Sequence, residues 1–201
     1  MKEEFQMDDM WIAPKSGGGH WTVADYKALE FTREEDWQTA IQMFEDRIRN
    51  RFLEMVDRIE DCPYAGFAVM ALDCLLIETL EQFRKGKAET PRQQSRKYFV
   101  DFLTRTAFSK FFDERTAGLF YSHIRCGILH QAEIRGSSRL RIDKPEMVTE
   151  VGEGLIINRR LFHNKLMEVF KDYLRDLREG KDSRLRENFR KKMDAICRIN
   201  R

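Results

Sequence analysis

Within YSHIRCGILHQAEIRG, residues 121–136, Arg125 and His130 stand five positions apart in a segment that otherwise reads as a buried helix. An imidazole moves protons near neutral pH, and a guanidinium holds phosphate through its planar fork. Together they suit reactions at a phosphodiester, in which His130 would act as general base, general acid or both and Arg125 would neutralise charge building on the phosphoryl oxygens. The chain carries 23 arginines and four histidines, so roughly one such spacing arises by chance and the pair has to be weighed by its setting.

That setting is an amphipathic helix. Ala117, Phe120, Ile124 and Ile128 form its inward stripe, and at 100° per residue Arg125 and His130 fall about 140° apart on opposite edges of it. Tyr121 lies on the Arg125 edge and His123 close to the His130 edge. For both groups to meet one substrate, the helix must bend or end between them, or a second copy must supply the missing partner. Gly127 lies between them and weakens the helix by about 1 kcal/mol relative to alanine, while Gly136 marks its expected end. Two such helices packed across a two-fold axis would place each Arg125 near the other chain's His130. That homodimer, with its composite cleft, is the favoured arrangement.

Candidate supporting residues are Tyr121, His123, Cys126 and Glu78, although His123 reads more readily as a structural histidine. Glu78 and Glu81 are candidate orienters of Arg125, set against an ordinary reading as helix-surface acids, Glu81 having i,i+4 spacing to Lys85. In the competing reading Arg125 only pairs with a core acid such as Glu78, and His130 only ends the helix. Arg135, Arg139 and Arg141 follow the pair and offer an RNA-binding phosphate track, with the basic C-terminal face as a second candidate. Solvated charge is the default for both.

The elements that must position these groups are mostly helical. Residues 1–31 hold few periodic apolar positions, and the three glycines of KSGGGHW resist regular structure, so this part reads as an N-terminal arm with a flexible turn. Thr32 and Glu35 have capping-box spacing ahead of an amphipathic helix over about 33–60. A second, more buried helix, YAGFAVMALDCLLIETLEQFRKG, stops near Gly86. Phe99, Phe102, Leu103, Ala107 and Phe111 mark a third, and Asp113 opens the fourth, which carries the pair. The stripe Phe99, Phe102, Phe111 and Phe112 reads as core, because its spacing is helical.

The period then changes. Leu140 and Ile142 alternate with Arg139, Arg141 and Asp143, and EMVTEVGEGLIIN has a glycine-flanked centre, which predicts a small β-hairpin near 138–158. Helical spacing returns from Arg160 to Arg178 with Gly180 as its stop, and residues 181–201 form a basic amphipathic helix. The expected fold class is all-α: one domain over 32–180, a bundle of about five to six helices with an inserted hairpin, followed by that C-terminal helix.

Composition narrows the function classes. A net charge of +2 gives no global electrostatic case for nucleic acid, so any such case rests on a local patch. Cys62, Cys74, Cys126 and Cys197 form no CxxC pair or zinc-spaced cluster, which indicates neither a disulfide frame nor a metal site. The N-terminal residues are acidic, without an apolar signal region, and no run approaches the length of a membrane span. A cytoplasmic protein without membrane contact is expected.

Arg-x4-His late in a helix of a small bundle, here RCGILH within FYSHIRCGILHQAE, resembles the HEPN superfamily, whose motif is an arginine and a histidine separated by four to six residues. The resemblance spans about residues 33–178 in helix order. It implies an up-and-down helical bundle acting as a dimer with the motif at the shared cleft, and a metal-independent endoribonuclease of bacterial toxin or phage-defence systems. It also implies Arg125 and His130 as the catalytic pair, RNA as substrate, and no cofactor. Cys126 stands where the family often has Asn, Asp or His, and Gln131 and Ala132 replace the His-x-Tyr ending of one toxin subgroup. The alternative is a catalytically inactive HEPN-like module for RNA binding or protein interaction. A third reading is a helical scaffold that docks on a partner through its basic C-terminal helix, and each reading leaves room for a regulatory protein partner.

Overall fold

Apolar residues in the N-terminal segment are few, yet several of them are buried. In the computed structural model, which describes residues 7–199, β1 (Trp11–Pro14) pairs antiparallel with β2 (His20–Thr22), and α1 (Val23–Lys27) follows. Thr22 and Asp25 cap that helix reciprocally. Gly17, Gly18 and Gly19 all have positive φ and form the turn between the strands, a backbone that residues with a Cβ rarely adopt. Ile12, Ala13, Val23 and Tyr26 are fully buried, and Asp46 of the next helix accepts from Ser16 Oγ and, at 2.8 Å, from Trp21 Nε1. The expected arm is therefore, from residue 7 on, a packed part of the fold. Residues 1–6 lie outside the described residues.

α2 (Glu34–Ile48) runs through a π-helical turn, Arg49–Leu53, into α3 (Glu54–Ile59), so the long amphipathic helix exists in three pieces. Its expected capping box does not form. Arg33 is the N-cap without a side-chain bond, because the Asp36 carboxylate instead accepts from the Glu30 N–H at 2.9 Å and from Arg33 Nε at 2.8 Å. α4 (Gly66–Lys85) closes at Gly86, φ 62°, where a left-handed residue is needed. α5 (Ser95–Arg105) and a 3-10 turn, Ala107–Lys110, lead to Asp113, which caps α6 (Glu114–Leu119) with Thr116. A second π-helical turn, Phe120–Arg125, continues into α7 (Cys126–Gln131).

The hairpin is β4 (Val148–Val151) with β5 (Gly154–Asn158), antiparallel and turning at Gly152, φ 56°. Against expectation a third strand joins it. β3 (Arg139–Arg141) lies parallel to β5, giving the order β3-β5-β4. Asn158 ends the sheet and begins α8 (Arg159–Glu179), its side chain accepting from the Arg160 and Leu161 N–H groups. α9 (Ser183–Ile196) follows the left-handed Gly180 and is capped by Asp182.

Two aromatic clusters hold these pieces. Phe44 meets Phe83 at 4.2 Å and also packs on Phe170, Tyr173 and Phe189, which joins α2, α4, α8 and α9. Phe120 stacks on Phe162 at 5.0 Å, with Phe108 and Phe112 around them, and this anchors the motif segment to α8. Each such ring contributes about 1.5–3 kcal/mol by leaving water. Phe111 departs from the expected core stripe: it is exposed beneath Lys165 Nζ. The C-terminal helix shares the same core, with Phe189 and Met193 fully buried. Two of its cations are engaged in holding it there, Arg186 on both oxygens of Glu34 and Lys192 on Gln82. Among the described residues no helix is long and apolar enough to cross a membrane.

Candidate active site

The motif helix owes its shape to two local features. At the π-turn, the Cys126 N–H donates to Tyr121 O, five residues back, so one extra residue is accommodated in that turn. At Gly127 the chain crosses itself. Ala132 adopts φ 51°, and the following residues double back so that Glu133 N–H reaches Gly127 O at 3.3 Å and Arg135 N–H reaches His123 O at 3.0 Å. A Cβ on Gly127 would stand 2.3 Å from Glu133 O, so this position requires glycine. The helix does not bend there. α7 runs through Gly127, and the residue serves the crossing.

Arg125 and His130 meet within one chain, the guanidinium NH1 lying 3.2 Å from His130 Nε2. Their backbone positions stay on different edges, and the long arginine side chain closes the gap. The geometric reason for invoking a second copy, that one helix keeps the two groups apart, therefore falls away. Since a guanidinium only donates, Nε2 accepts in this contact. The other arm of the fork, NH2, donates to Glu78 at 3.0 Å, which also accepts from Ser95 Oγ at 3.3 Å. Phe99 and Tyr121 flank the guanidinium carbon at 5.7 and 5.5 Å. Burial alone would lower the Arg125 pKa, but the Glu78 carboxylate outweighs it and raises the value above that of a free arginine. His130 is exposed, so one half of the pair is fixed and the other is open to solvent.

Several other expected residues take other places. His123 turns away, its Nδ1 3.1 Å from Ser138 Oγ and its ring against Gly136, while that hydroxyl accepts from the Leu155 N–H. It is a structural histidine that ties the motif helix to β5. Glu81 pairs with Lys85 at 3.1 Å and not with Arg125. Cys126 is a partly exposed free thiol beside the pair, and Cys74 is enclosed, burial pushing its thiol well up. Arg135 donates to Gln131 Oε1, Arg139 to the Ser138 carbonyl, and Arg141 grips Asp143 with both arms at 2.8 and 2.7 Å. Arg139 and Arg141 lie beside Phe67 at the start of α4, 11 residues or about 16 Å of helix from Glu78. They do not surround the pair. Ser95 had no signal in the sequence, and Phe99, expected only as core, also faces the guanidinium.

Comparison with protein-family models, curated proteins and solved structures finds no match for this chain. Among the described residues no group of three or more His, Cys, Asp or Glu side chains is placed to hold a metal ion. What Arg125 and His130 offer is a cation locked in place by a carboxylate beside an exposed imidazole. An anionic oxygen meeting both would be neutralised by one and exchange protons with the other.

Proposed function

We propose that this protein is a metal-independent endoribonuclease of HEPN type, acting in the cytoplasm as part of a bacterial toxin or phage-defence system, with Arg125 and His130 as its catalytic pair. The observation that carries the reading is the 3.2 Å approach of the Arg125 fork to an exposed His130, with Glu78 fixing the other arm. In the reaction the RNA 2′-oxygen forms a bond to phosphorus as the bond to the 5′-oxygen breaks. The 2′-hydroxyl gives up a proton, the departing 5′-oxygen takes one, and the products are a 2′,3′-cyclic phosphate and a 5′-hydroxyl. His130 handles these protons, and Arg125 holds the phosphoryl oxygens.

A homodimer belongs to this reading. Leu75, three residues before Glu78, and Leu129, immediately before His130, are 42% and 44% exposed, and a second copy covering them would put two pairs at one cleft. One observation favours a second reading, an inactive HEPN-like module for RNA or protein binding: Glu78 already neutralises Arg125. Incubation with labelled tRNA and total RNA in EDTA, beside Arg125→Ala/His130→Ala, separates the two. Cleavage by the wild type that vanishes in the folded double variant supports the nuclease. Intact RNA with both proteins favours the module.

A further inference from the structure

The first turn of α4 has no side-chain cap, so its leading N–H groups keep the partial positive charge of a helix N-terminus. A cleft of about 580 Å³ opens over it, lined by Tyr64, Gly66, Phe67, Leu140, Arg141 and Arg159. Arg159 is only 8% exposed. Its NH2 donates to Glu60 O at 2.7 Å, while NH1 is buried with no hydrogen-bond partner among the described residues. Its Cδ and Nε lie 3.4 and 3.5 Å from where a Cβ on Gly66 would stand, which puts the guanidinium against the helix end. An unpaired buried donor on a residue that lines the cleft is a cost that a ligand oxygen would remove. Asp143, the acid of the cleft, is held by Arg141.

Tyr64 supplies the second half of the site. Its side chain is 100% exposed, and its backbone sits at φ 66°, which a bulky residue rarely adopts. The fold gains nothing from that ring, so strain and exposure together point to a contact made with something else. We propose that this cleft is a nucleotide subsite, in which the α4 N-terminus and Arg159 hold a phosphate while Tyr64, beside Phe67, stacks on the base. Helix N-termini bind phosphate through their free N–H groups, and an aromatic face accepts any base. The volume suits a small ligand. The subsite lies 12 residues along α4 from Glu78, about 18 Å, and does not depend on RNA cleavage by Arg125 and His130. A free nucleoside monophosphate and a nucleotide within an RNA strand present the same chemistry.

Calorimetric titration with AMP, adenosine, inorganic phosphate and an uncleavable 2′-O-methyl hexanucleotide tests the site, with Gly66→Glu and Tyr64→Gly as variants. Gly66→Glu puts a carboxylate in the phosphate position while favouring the helix, so AMP binding should be lost and the melting temperature kept. Tyr64→Gly relieves the backbone and removes the ring, and should weaken AMP about fivefold or more. Loss of hexanucleotide binding in the same variants assigns the site to an RNA strand, and an effect confined to AMP assigns it to a free nucleotide. Absence of binding of either probe to the wild type at about 1 mM overturns the proposal, as does binding that ignores both substitutions. Phosphate binding as tight as AMP and indifferent to Tyr64 overturns the base contact.

Discussion

Glu78→Gln keeps the shape of the side chain and removes its charge, which isolates its hold on Arg125. The two side chains are 15% and 19% exposed, so the pair falls between a surface ion pair worth about 0–1 kcal/mol and a buried one whose disruption costs about 3–5 kcal/mol. The amide oxygen still accepts from NH2, so the net loss should be about 1–2 kcal/mol. For a chain of this size each kcal/mol moves Tm by about 2–4 °C, giving a fall of roughly 2–8 °C. With the charge gone and only a neutral hydrogen bond left, the guanidinium is held less firmly with NH1 toward His130. A displacement of about 1 Å at a reacting centre costs on the order of a hundredfold, so cleavage should fall about ten- to a hundredfold, chiefly in kcat. Thermal melts and single-turnover cleavage of labelled tRNA in EDTA measure both. A lowered Tm with cleavage at the wild-type rate would refute Glu78 as the group that orients Arg125.

Gly127→Ala gains about 1 kcal/mol of helix propensity and loses about 1–3 kcal/mol to the clash with Glu133 O, so the protein should be destabilised and amide exchange at Arg135 accelerated; protection equal to wild type would contradict the crossing. The buried His163–Asp73 contact, 2.7 Å, predicts a pH effect. Burial alone would lower the His163 pKa, but Asp73 outweighs it and raises the value, while burial pushes the Asp73 carboxyl up with the same sign. The stabilisation from the His163 proton is full below about pH 6.5 and is lost as pH rises through the raised value. Urea unfolding at pH 6 and pH 9 should show this loss in the wild type and less of it in His163→Gln, and equal losses would sink the assignment. Asp143→Asn frees Arg141 and should tighten RNA binding, steepening the slope of log K against log salt by about 1; an unchanged slope would remove Arg141 from the binding surface.

Local chemistry was legible in the sequence wherever one residue decides the backbone. Gly86 and Gly180 stop their helices because both stand at positive φ, and Asp113 opens α6 through its own side chain. Failures arose where a neighbour competed or the signal was too short. Asp36 displaces the Thr32–Glu35 box, and β3 has three residues, too few to announce a parallel partner. Ile12, Val23 and Tyr26 are buried singly, without a period that could reveal the packed N-terminal segment. At the site, residue types named the pair, and spacing put Tyr121 on the arginine side correctly. Whether Glu78 or Glu81 meets Arg125 was beyond sequence, since the contact spans 47 positions and depends on how α4 lies against the motif helix.

The π-turn at Phe120–Arg125 means that the two halves of this helix are indexed separately. Residues before it are counted from the Phe120–Phe162 stack, and those after it from the crossing at Gly127. A homologue shorter by one residue here would relax to plain α-helix, and everything beyond would keep its face, because the wide turn takes up the extra residue. Its arginine would still meet Glu78 and its counterpart of Ile128 would stay in the core. The same deletion in a plain α-helical stretch would turn everything beyond it by about 100°, so in this chain the turn is the place where a change of length is not a change of face.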